Sequence, residues 1–340
     1  MKIIISIFLI IISNNIYGQN DLKDKFQIFT FEDSKLGKIE YCTFKSSIEK
    51  RKPILLFIHG SGNLPTFQYR NDLKNYAWSA FVEVQKYKDD YHVIFVNKPG
   101  IPLFDTVNIG KNGELEYPIN NEYKQNFSLD WRAESASKII NNAIKKLPVD
   151  KSKILAIGHS QGGQVAPKVA VLNKKVTHVV LLNSNSLNHL YDFVLQERLN
   201  AFKGNTTFEQ SQKNIDTLFS DYKNIFENSE SREKLWDGET YFRWANFSKE
   251  TPLENMLKLK IPILMIAGGK DIWGSFIMNT DYAEIEFLQK GKNNLIYKVY
   301  PNANHFLQDE IVENGKTNYV DLKPQIFEKI IKWTNEKNFR

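Results

Sequence analysis

The stretch that decides the fold is Ile154–Gly163, which reads Ile-Leu-Ala-Ile-Gly-His-Ser-Gln-Gly-Gly. It opens as a short apolar run typical of a buried strand, and a helical pattern follows over 165–172. In the turn between them, Gly158 and Gly162 lie two residues on either side of Ser160. Such glycines permit a turn that side chains would block, and the turn presents the serine hydroxyl at the carboxyl edge of the sheet, where ligands of open α/β sheets bind. We therefore predict Ser160 as a nucleophile.

Short apolar runs recur along the chain, and helical patterns separate them. Two runs at 26–31 and 39–44 are typical of an antiparallel hairpin. Between the later runs, apolar residues recur at helical spacing, for example over 131–147, where Asp130 is placed to cap the helix. The later runs are continuous enough for strands covered on both faces, and they are 54–58, 93–96, 154–157, 179–182, 263–266 and 295–299. This alternation predicts the α/β class, with a doubly wound parallel sheet after the hairpin.

One segment, 187–258, interrupts this alternation because it holds helical stretches and no convincing strand. We interpret it as a helical cap or lid, inserted into a core domain that comprises 19–186 and 259–340. A set of ordinary crossover helices is the alternative, although the segment is long for one crossover. Its aromatic residues either form the core of the insertion or line a pocket, and we expect a core position for most of them: Tyr191, Phe202, Phe219, Trp236, Tyr241, Phe242 and Trp244.

Residues 1–18 are typical of a secretory signal peptide. Lys2 precedes the apolar run 3–12, a polar stretch follows, and Gly18 offers a small residue before a cut at Gln19. An uncleaved membrane anchor is the alternative, but so short a run does not cross a hydrocarbon core of about 30 Å. No later stretch reaches the ~18 apolar residues of a membrane span. We expect export to the periplasm or the medium, with no membrane span in the mature chain.

Charge and cysteine content exclude several classes of protein. The chain has 45 Lys and Arg against 39 Asp and Glu, a net charge of +6 over 340 residues, and no basic block stands out. We therefore expect no nucleic-acid partner. Because Cys42 is the single cysteine, an intramolecular disulfide and a cysteine-based zinc or iron–sulfur site are both excluded. No metal or nucleotide motif is present, so we expect no metal site and no cofactor.

A second glycine-rich turn follows the predicted strand 54–58 and reads His-Gly-Ser-Gly. A serine that attacks a carbonyl carbon builds an oxyanion, which needs preorganised backbone N–H donors. We expect these donors to be the N–H groups of Ser61 and Gln161. Gly60 and Gly62 would let the backbone approach the substrate closely, and the histidine of this turn is expected to be structural.

The serine also needs a base, and the base needs an orienting acid. Of the six histidines, His305 alone follows the last predicted strand, at the carboxyl edge of the sheet. Asp271 follows the strand 263–266 and is the predicted acid. The rival position after the strand 179–182 offers no carboxylate, and Asp281 falls inside a helical pattern.

The chain order of the glycine-rich turn 59–62, Ser160, Asp271 and His305 resembles that of the α/β-hydrolase superfamily. The resemblance covers about 26–337, nearly all of the mature chain. The run from Gly158 to Pro167 is similar to that of bacterial carboxylesterase-type and dienelactone-hydrolase-like members, and prolyl-oligopeptidase-type catalytic domains are similar too. One departure is Asp271-Ile-Trp-Gly, where relatives more often carry a turn with proline, and it affects the expected pocket wall.

The resemblance implies the α/β-hydrolase fold, a mostly parallel eight-stranded sheet flanked by helices, with a cap inserted before the strand of the acid, where 187–258 falls. Together with the signal-peptide pattern, our leading hypothesis is an exported serine hydrolase that cleaves a carboxylic ester through an acyl-enzyme. A serine peptidase or a thioesterase would use the same residues, so the expected partner is a small-molecule ester or a short peptide. A non-catalytic binding protein on the same fold is the alternative from another class.

Overall fold

The central feature of the computed structural model, which describes residues 22–272, 277–314 and 316–336, is an eight-stranded sheet. Its strands are β1 (Phe26–Asp33), β2 (Gly37–Phe44), β3 (Lys52–Ile58), β4 (His92–Val96), β5 (Val149–His159), β6 (His178–Leu182), β7 (Ile263–Gly268) and β8 (Leu295–Tyr300). Their order across the sheet is β1-β2-β4-β3-β5-β6-β7-β8. β2 pairs antiparallel with β1 and with β4, and every other neighbouring pair is parallel. The predicted hairpin, the six predicted parallel strands and the α/β-hydrolase fold class are confirmed.

Helices cover both faces of this sheet. They are α1 (Asn121–Asn126), α2 (Leu129–Lys146), α3 (Gln161–Leu172), α4 (His189–Phe202), α5 (Phe208–Glu227), α6 (Tyr241–Ser248), α7 (Pro252–Leu257), α8 (Ile277–Gln289) and α9 (Lys323–Glu336). Along β3, Ile54 and Leu56 pack into the core that α2 and α3 cover, whereas Leu55 and Phe57 pack into the core that α9 covers. A strand buried on both faces needs an unbroken apolar run, which is the pattern seen in the sequence.

The start of α2 corrects one prediction. Asp130 does not cap this helix, because the Ser128 side chain accepts the hydrogen bond from the Trp131 N–H, 3.1 Å away. Ser128 has the extended backbone of an N-cap residue, while Asp130 lies in the first turn of the helix. There the Asp130 carboxylate forms ion pairs with Lys168 and Lys249.

Between β6 and β7 the chain forms α4 to α7 and a short hairpin of Leu235–Trp236 with Glu239–Thr240. These helices share a small core of their own, in which Tyr222 and Trp244 are buried. Tyr191, Phe202 and Phe219 are exposed instead, so the expected core position is wrong for these three. The division into a core domain and a lid stays a prediction.

A second addition to the sheet was not expected from the sequence. Four short strands pair beside the carboxyl edge, in the order Asn75–Trp78, Phe67–Arg70, Phe104–Ile109 and Leu115–Glu116. The first two strands in the chain come from the connection that follows β3, and the other two come from the connection that follows β4. A 3-10 helix, Val82–Tyr87, lies between Asn75–Trp78 and β4. A last hairpin joins Gln308–Glu313 and Lys316–Asp321.

Two predictions concern residues outside the described structure. The signal peptide, 1–18, lies there, and so do Trp273 and Gly274 of the turn after Asp271. Within the part of the chain that is described, no helix has the length and apolar character needed to cross a membrane.

Candidate active site

Ser160 lies at the junction of β5 and α3, as predicted from the glycine-flanked motif. Its backbone angles are φ 55° and ψ −127°, a conformation that residues other than glycine rarely adopt. The Ser160 N–H bonds to the Leu182 carbonyl at 3.0 Å, which ties the turn to the end of β6. Strained backbone of this kind persists where the surrounding structure determines it, and it concentrates at active sites.

The flanking glycines let this turn pack against its neighbours. A Cβ atom on Gly158 would lie 2.1 Å from the Gly162 carbonyl oxygen, and one on Gly162 would lie 1.9 Å from the Ile58 carbonyl oxygen. Both contacts involve backbone atoms, which have no free side-chain end that could move aside. The close fit therefore requires glycine at both positions.

His305 and Asp271 form a buried pair at the carboxyl edge. The His305 Nδ1 and the Asp271 Oδ2 are 2.9 Å apart, and the two residues are 8% and 3% exposed. With Nδ1 held by the carboxylate, Nε2 is the nitrogen left for other chemistry. Among the described residues no hydrogen bond joins His305 to Ser160, but both line the same cavity. In proteins without bound substrate such hydrogen bonds are often long.

The backbone of His305 is held by residues whose role was not predicted. The Asn183 side chain donates to the carbonyl oxygens of Asn304 and His305, both at 2.8 Å, and accepts from the Gly268 N–H at 2.7 Å. The His159 Nε2 lies 2.9 Å from the same His305 carbonyl oxygen. Burial, with the nearby His305, lowers the pKa of His159 to about 3, so its ring is neutral and donates this bond.

The expected oxyanion donors lie close to Ser160. A Cβ atom on Gly60 would lie 3.2 Å from the Ser160 Cβ and 3.5 Å from its Oγ. Gly62 has φ 81°, a value that favours glycine. Among the described residues, no hydrogen bond uses the backbone N–H of Ser61 or of Gln161. Two unpaired donors therefore stand beside the serine, one of them at the first position of α3.

A cavity of about 510 Å³ opens onto these residues. Trp78 and Phe81 belong to its lining, so the strands added after β3 supply an aromatic wall. Glu83 also lines it, and burial raises the pKa of this carboxyl group to about 7. Among the described residues that line the cavity, none comes from the helical insertion 187–258. The unexpected strand Asn75–Trp78 thus contributes to the wall of the cavity, whereas the predicted lid contributes none of the described lining residues.

No metal centre accompanies this site in the described residues. Across 22–272, 277–314 and 316–336, no three His, Cys, Asp or Glu side chains are grouped so that they could hold a metal ion. Besides Glu83, the groups at the cavity include a serine hydroxyl, an imidazole bonded to a carboxylate, and two unpaired backbone N–H groups.

The family model that matches this chain is that of the alpha/beta hydrolase fold, over residues 53–310. The match covers more than half of the chain, and it includes the turn after β3, Ser160, Asp271 and His305. The chain belongs to the alpha/beta hydrolase family. In sequence, no curated protein matches it.

Solved structures with a similar fold include both esterases and peptidases. A carboxyl esterase from Bacillus coagulans is 15% identical with a TM-score of 0.50, and the match covers 91% of this chain and 98% of that one. An acylaminoacyl peptidase from Pyrococcus horikoshii is 14% identical with a TM-score of 0.54, over 93% of this chain and 42% of that one. Dipeptidyl peptidase 4 from Porphyromonas gingivalis is 14% identical with a TM-score of 0.51, and the match covers 92% of this chain and 35% of that one. The chain thus spans less than half of either peptidase, and these likenesses establish the fold alone.

Proposed function

We propose that this protein is an exported serine hydrolase that cleaves carboxylic esters, with Ser160 as nucleophile, His305 as base and Asp271 as the orienting acid. The observation that carries the proposal is the arrangement around the cavity. A strained serine and a histidine bonded to a carboxylate at 2.9 Å line one cavity, beside two unpaired backbone N–H groups. This is the set of groups that acyl transfer to a serine requires.

In the proposed mechanism, the His305 Nε2 takes the proton of the Ser160 hydroxyl while Oγ attacks the ester carbonyl carbon. The oxyanion that forms accepts hydrogen bonds from the N–H groups of Ser61 and Gln161. His305 then gives the proton to the leaving alcohol, and an acyl-enzyme remains. A water molecule, deprotonated by His305, releases the acid and restores Ser160. Asp271 holds the imidazole in the correct tautomer and stabilises its cation.

The cavity supports an ester with an apolar acyl or alkyl group. Trp78 and Phe81 offer aromatic surface, and burial of apolar surface stabilises binding by about 25 cal/mol per Å². The carboxyl esterase from Bacillus coagulans matches this chain over almost its whole length, which also favours an ester. Peptide and thioester cleavage would use the same residues, and the experiment below separates these alternatives.

Export is part of the proposal and rests on residues 1–18 of the sequence alone, where an apolar run with a basic start precedes a small residue at Gly18. The mature protein would then meet substrates outside the cytoplasm.

The decisive experiment uses protein that begins at Gln19 and a panel of nitrophenyl esters of graded acyl length, beside a matching thioester and aminoacyl nitroanilides. We expect turnover of esters with little or none of the anilides, and labelling at a single site by a fluorophosphonate probe. Ser160→Ala, with a circular dichroism spectrum like that of the wild type, is expected to lose both turnover and labelling. Labelling that survives in Ser160→Ala would contradict the assignment of the nucleophile. Faster turnover of anilides than of esters would identify a peptidase.

A further inference from the structure

Two buried cations lie behind the turn that faces Ser160. The Lys98 Nζ donates to the carbonyl oxygens of Ser61 at 2.9 Å and Gly62 at 2.5 Å. The Arg132 Nη2 donates to the His59 carbonyl oxygen at 2.5 Å. We call residues 59–62 the oxyanion turn.

Arg132 also links the oxyanion turn to the other segment that supplies a predicted donor. Its Nη1 lies 3.5 Å from the Gly60 carbonyl oxygen and 3.1 Å from the Gln161 side-chain oxygen, at the start of α3. The four successive carbonyl groups of the oxyanion turn therefore face the two cations.

These cations are in an unfavourable environment. Both residues are 2% exposed, and neither forms an ion pair with a carboxylate among the described residues. Burial lowers the pKa of Arg132 to about 9, and burial together with Arg132 lowers the pKa of Lys98 well below its usual value. Neutral donors would bind the same carbonyl groups without the cost of burying two like charges. Stability of the turn alone thus does not explain two cations at this place.

The contacts also fix the direction of the N–H groups. In a planar trans peptide the C=O of one residue and the N–H of the next point in opposite directions. Since the carbonyl groups of His59, Gly60 and Ser61 point to the cations, the N–H groups of Gly60, Ser61 and Gly62 point away from them. A cation bound to a carbonyl oxygen polarises that peptide group and makes its N–H a stronger donor.

We propose that Lys98 and Arg132 are positioning residues for the oxyanion hole. They orient and polarise the peptide groups of the oxyanion turn, and Arg132 keeps this turn in register with the start of α3. Arg132 contacts the Gly60 carbonyl, which shares a peptide group with the Ser61 N–H, and Lys98 holds the next two carbonyl groups of the turn. Both thereby fix the direction of the Ser61 N–H relative to that of Gln161, and neither touches the substrate. This inference rests on the proposed function, in which those two groups stabilise the oxyanion.

The test compares Lys98→Met and Arg132→Met with the wild type, using the best nitrophenyl ester and a trifluoromethyl ketone of the same chain length. The ketone forms a tetrahedral adduct with the serine and so reports binding of the oxyanion. We expect kcat to fall about 10- to 100-fold, below the 10²–10³ known for loss of a direct donor, with KM changed less than about threefold. Affinity for the ketone is expected to fall by the same factor as kcat/KM, since both depend on transition-state binding.

Lys52→Met is the matched control. Lys52 is also a buried basic residue, 4% exposed, which donates to the backbone carbonyl groups of Ser46 and Lys88 and not to the oxyanion turn. We expect this variant to keep the ketone affinity and the kcat of the wild type. If a methionine variant does not fold, Lys98→Gln and Arg132→Gln, which keep a donor and remove the charge, take its place with the same expectation.

The possible outcomes separate the inference from the proposed function. Ketone affinity that stays at the wild-type level in folded Lys98 and Arg132 variants would overturn the inference while Ser160 labelling stands. An equal loss in Lys52→Met would also overturn it, because the effect would then be general. Failure of the fluorophosphonate probe to label the wild type would remove the proposed function, and the inference with it.

Discussion

At the scale of single residues, the site combines a serine under backbone strain with a histidine whose orientation is fixed from two sides. Asp271 bonds its Nδ1, and Asn183 and His159 both contact its carbonyl oxygen. The hydrogen bond to Asp271 restricts rotation of the ring, and the contacts to the carbonyl oxygen hold the backbone that carries it. Preorganisation of this kind lowers the cost of reaching the transition state.

Asp271→Asn tests the orienting acid. An amide in place of the carboxylate can hold the wrong tautomer of His305 and does not stabilise its cation, so we expect kcat to fall by about 10⁴-fold with the fold intact. Steady-state kinetics with the best ester measures this. The control is Asp281→Asn, which removes the competing candidate acid and is expected to leave kcat unchanged. A near wild-type kcat in Asp271→Asn would mean that another group orients the base.

Asn183→Asp tests the support of the histidine loop. The new carboxylate would face the carbonyl oxygens of Asn304 and His305, and acceptors that face one another in a buried site are unfavourable. We expect a loss of about 2–4 kcal/mol in the free energy of unfolding and a lower kcat at temperatures where the variant is folded. Asn173→Asp is the control, since Asn173 is buried and donates to the Ser137 carbonyl far along the chain from the site. We expect Asn173→Asp to lower the free energy of unfolding and to leave kcat unchanged.

At the scale of elements, ion pairs join the helices beneath the insertion. The Asp130 carboxylate of α2 pairs with Lys168 of α3 and with Lys249 after α6, and Lys168 also pairs with Glu250. Lys168 is 7% exposed, so these pairs are shielded from solvent more than ordinary surface pairs are. They connect the insertion to the two helices that pack on one face of the sheet.

Asp130→Asn tests this connection and its pH dependence. The hydrogen bonds from Lys168 and Lys249 outweigh burial and hold the pKa of Asp130 below its ordinary value of 3.8. A lowered pKa in the folded state contributes stability that is present above the ordinary pKa and is lost as pH falls below it. We expect Asp130→Asn to be less stable than the wild type by about 1–3 kcal/mol at pH 7, with the difference shrinking below about pH 4. Urea unfolding between pH 3 and 7 measures it, and a difference independent of pH would contradict the ionic role.

The next prediction concerns which added segment selects the substrate, the strands after β3 or the helical insertion 187–258. Because Trp78 lines the cavity and the helices of 187–258 do not, Trp78→Leu is expected to change the relative kcat/KM values across ester lengths. Trp236→Leu is the control, because Trp236 is partly buried against the core of the helical insertion, and it is expected to leave these ratios as they are. If the two variants behave the other way round, the helical insertion is the specificity lid after all.

At the scale of the whole molecule, an eight-stranded sheet brings four separate turns of the chain to one edge. The turns after β3, β5, β7 and β8 meet there because the carboxyl ends of parallel strands share an edge. The segment added after β3 lines the cavity at this edge, through residues that include Gln68 and Trp78. The sheet thus positions the residues of the site, and an added segment supplies part of the cavity wall.

Export is a property of the whole chain and has its own test. Mass spectrometry of the protein from its natural host is expected to find Gln19 or a neighbouring residue as the N-terminus, in the fraction outside the cytoplasm. Intact Met1 on protein in the cytoplasmic fraction would contradict export and leave the proposed hydrolase activity untouched.

The sequence by itself determined the strands of the sheet and the candidates Ser160, Asp271 and His305. A short continuous apolar run is typical of a strand that is covered on both faces of a parallel sheet. A polar residue directly after such a strand lies at the carboxyl edge of the sheet. The short strands between 67 and 116 were not predicted, because their pairing depends on partners distant in sequence and their apolar pattern is weak.

Only the tertiary structure decided the roles of Lys98, Arg132 and Asn183. In sequence, a lysine or an arginine is most often a solvated side chain, and an asparagine after a strand is most often a turn residue. Arg132 reaches His59 across 73 positions of the chain, and Asn183 reaches His305 across 122. Burial and hydrogen bonding over such separations follow from packing of the whole chain, and no local pattern contains that information.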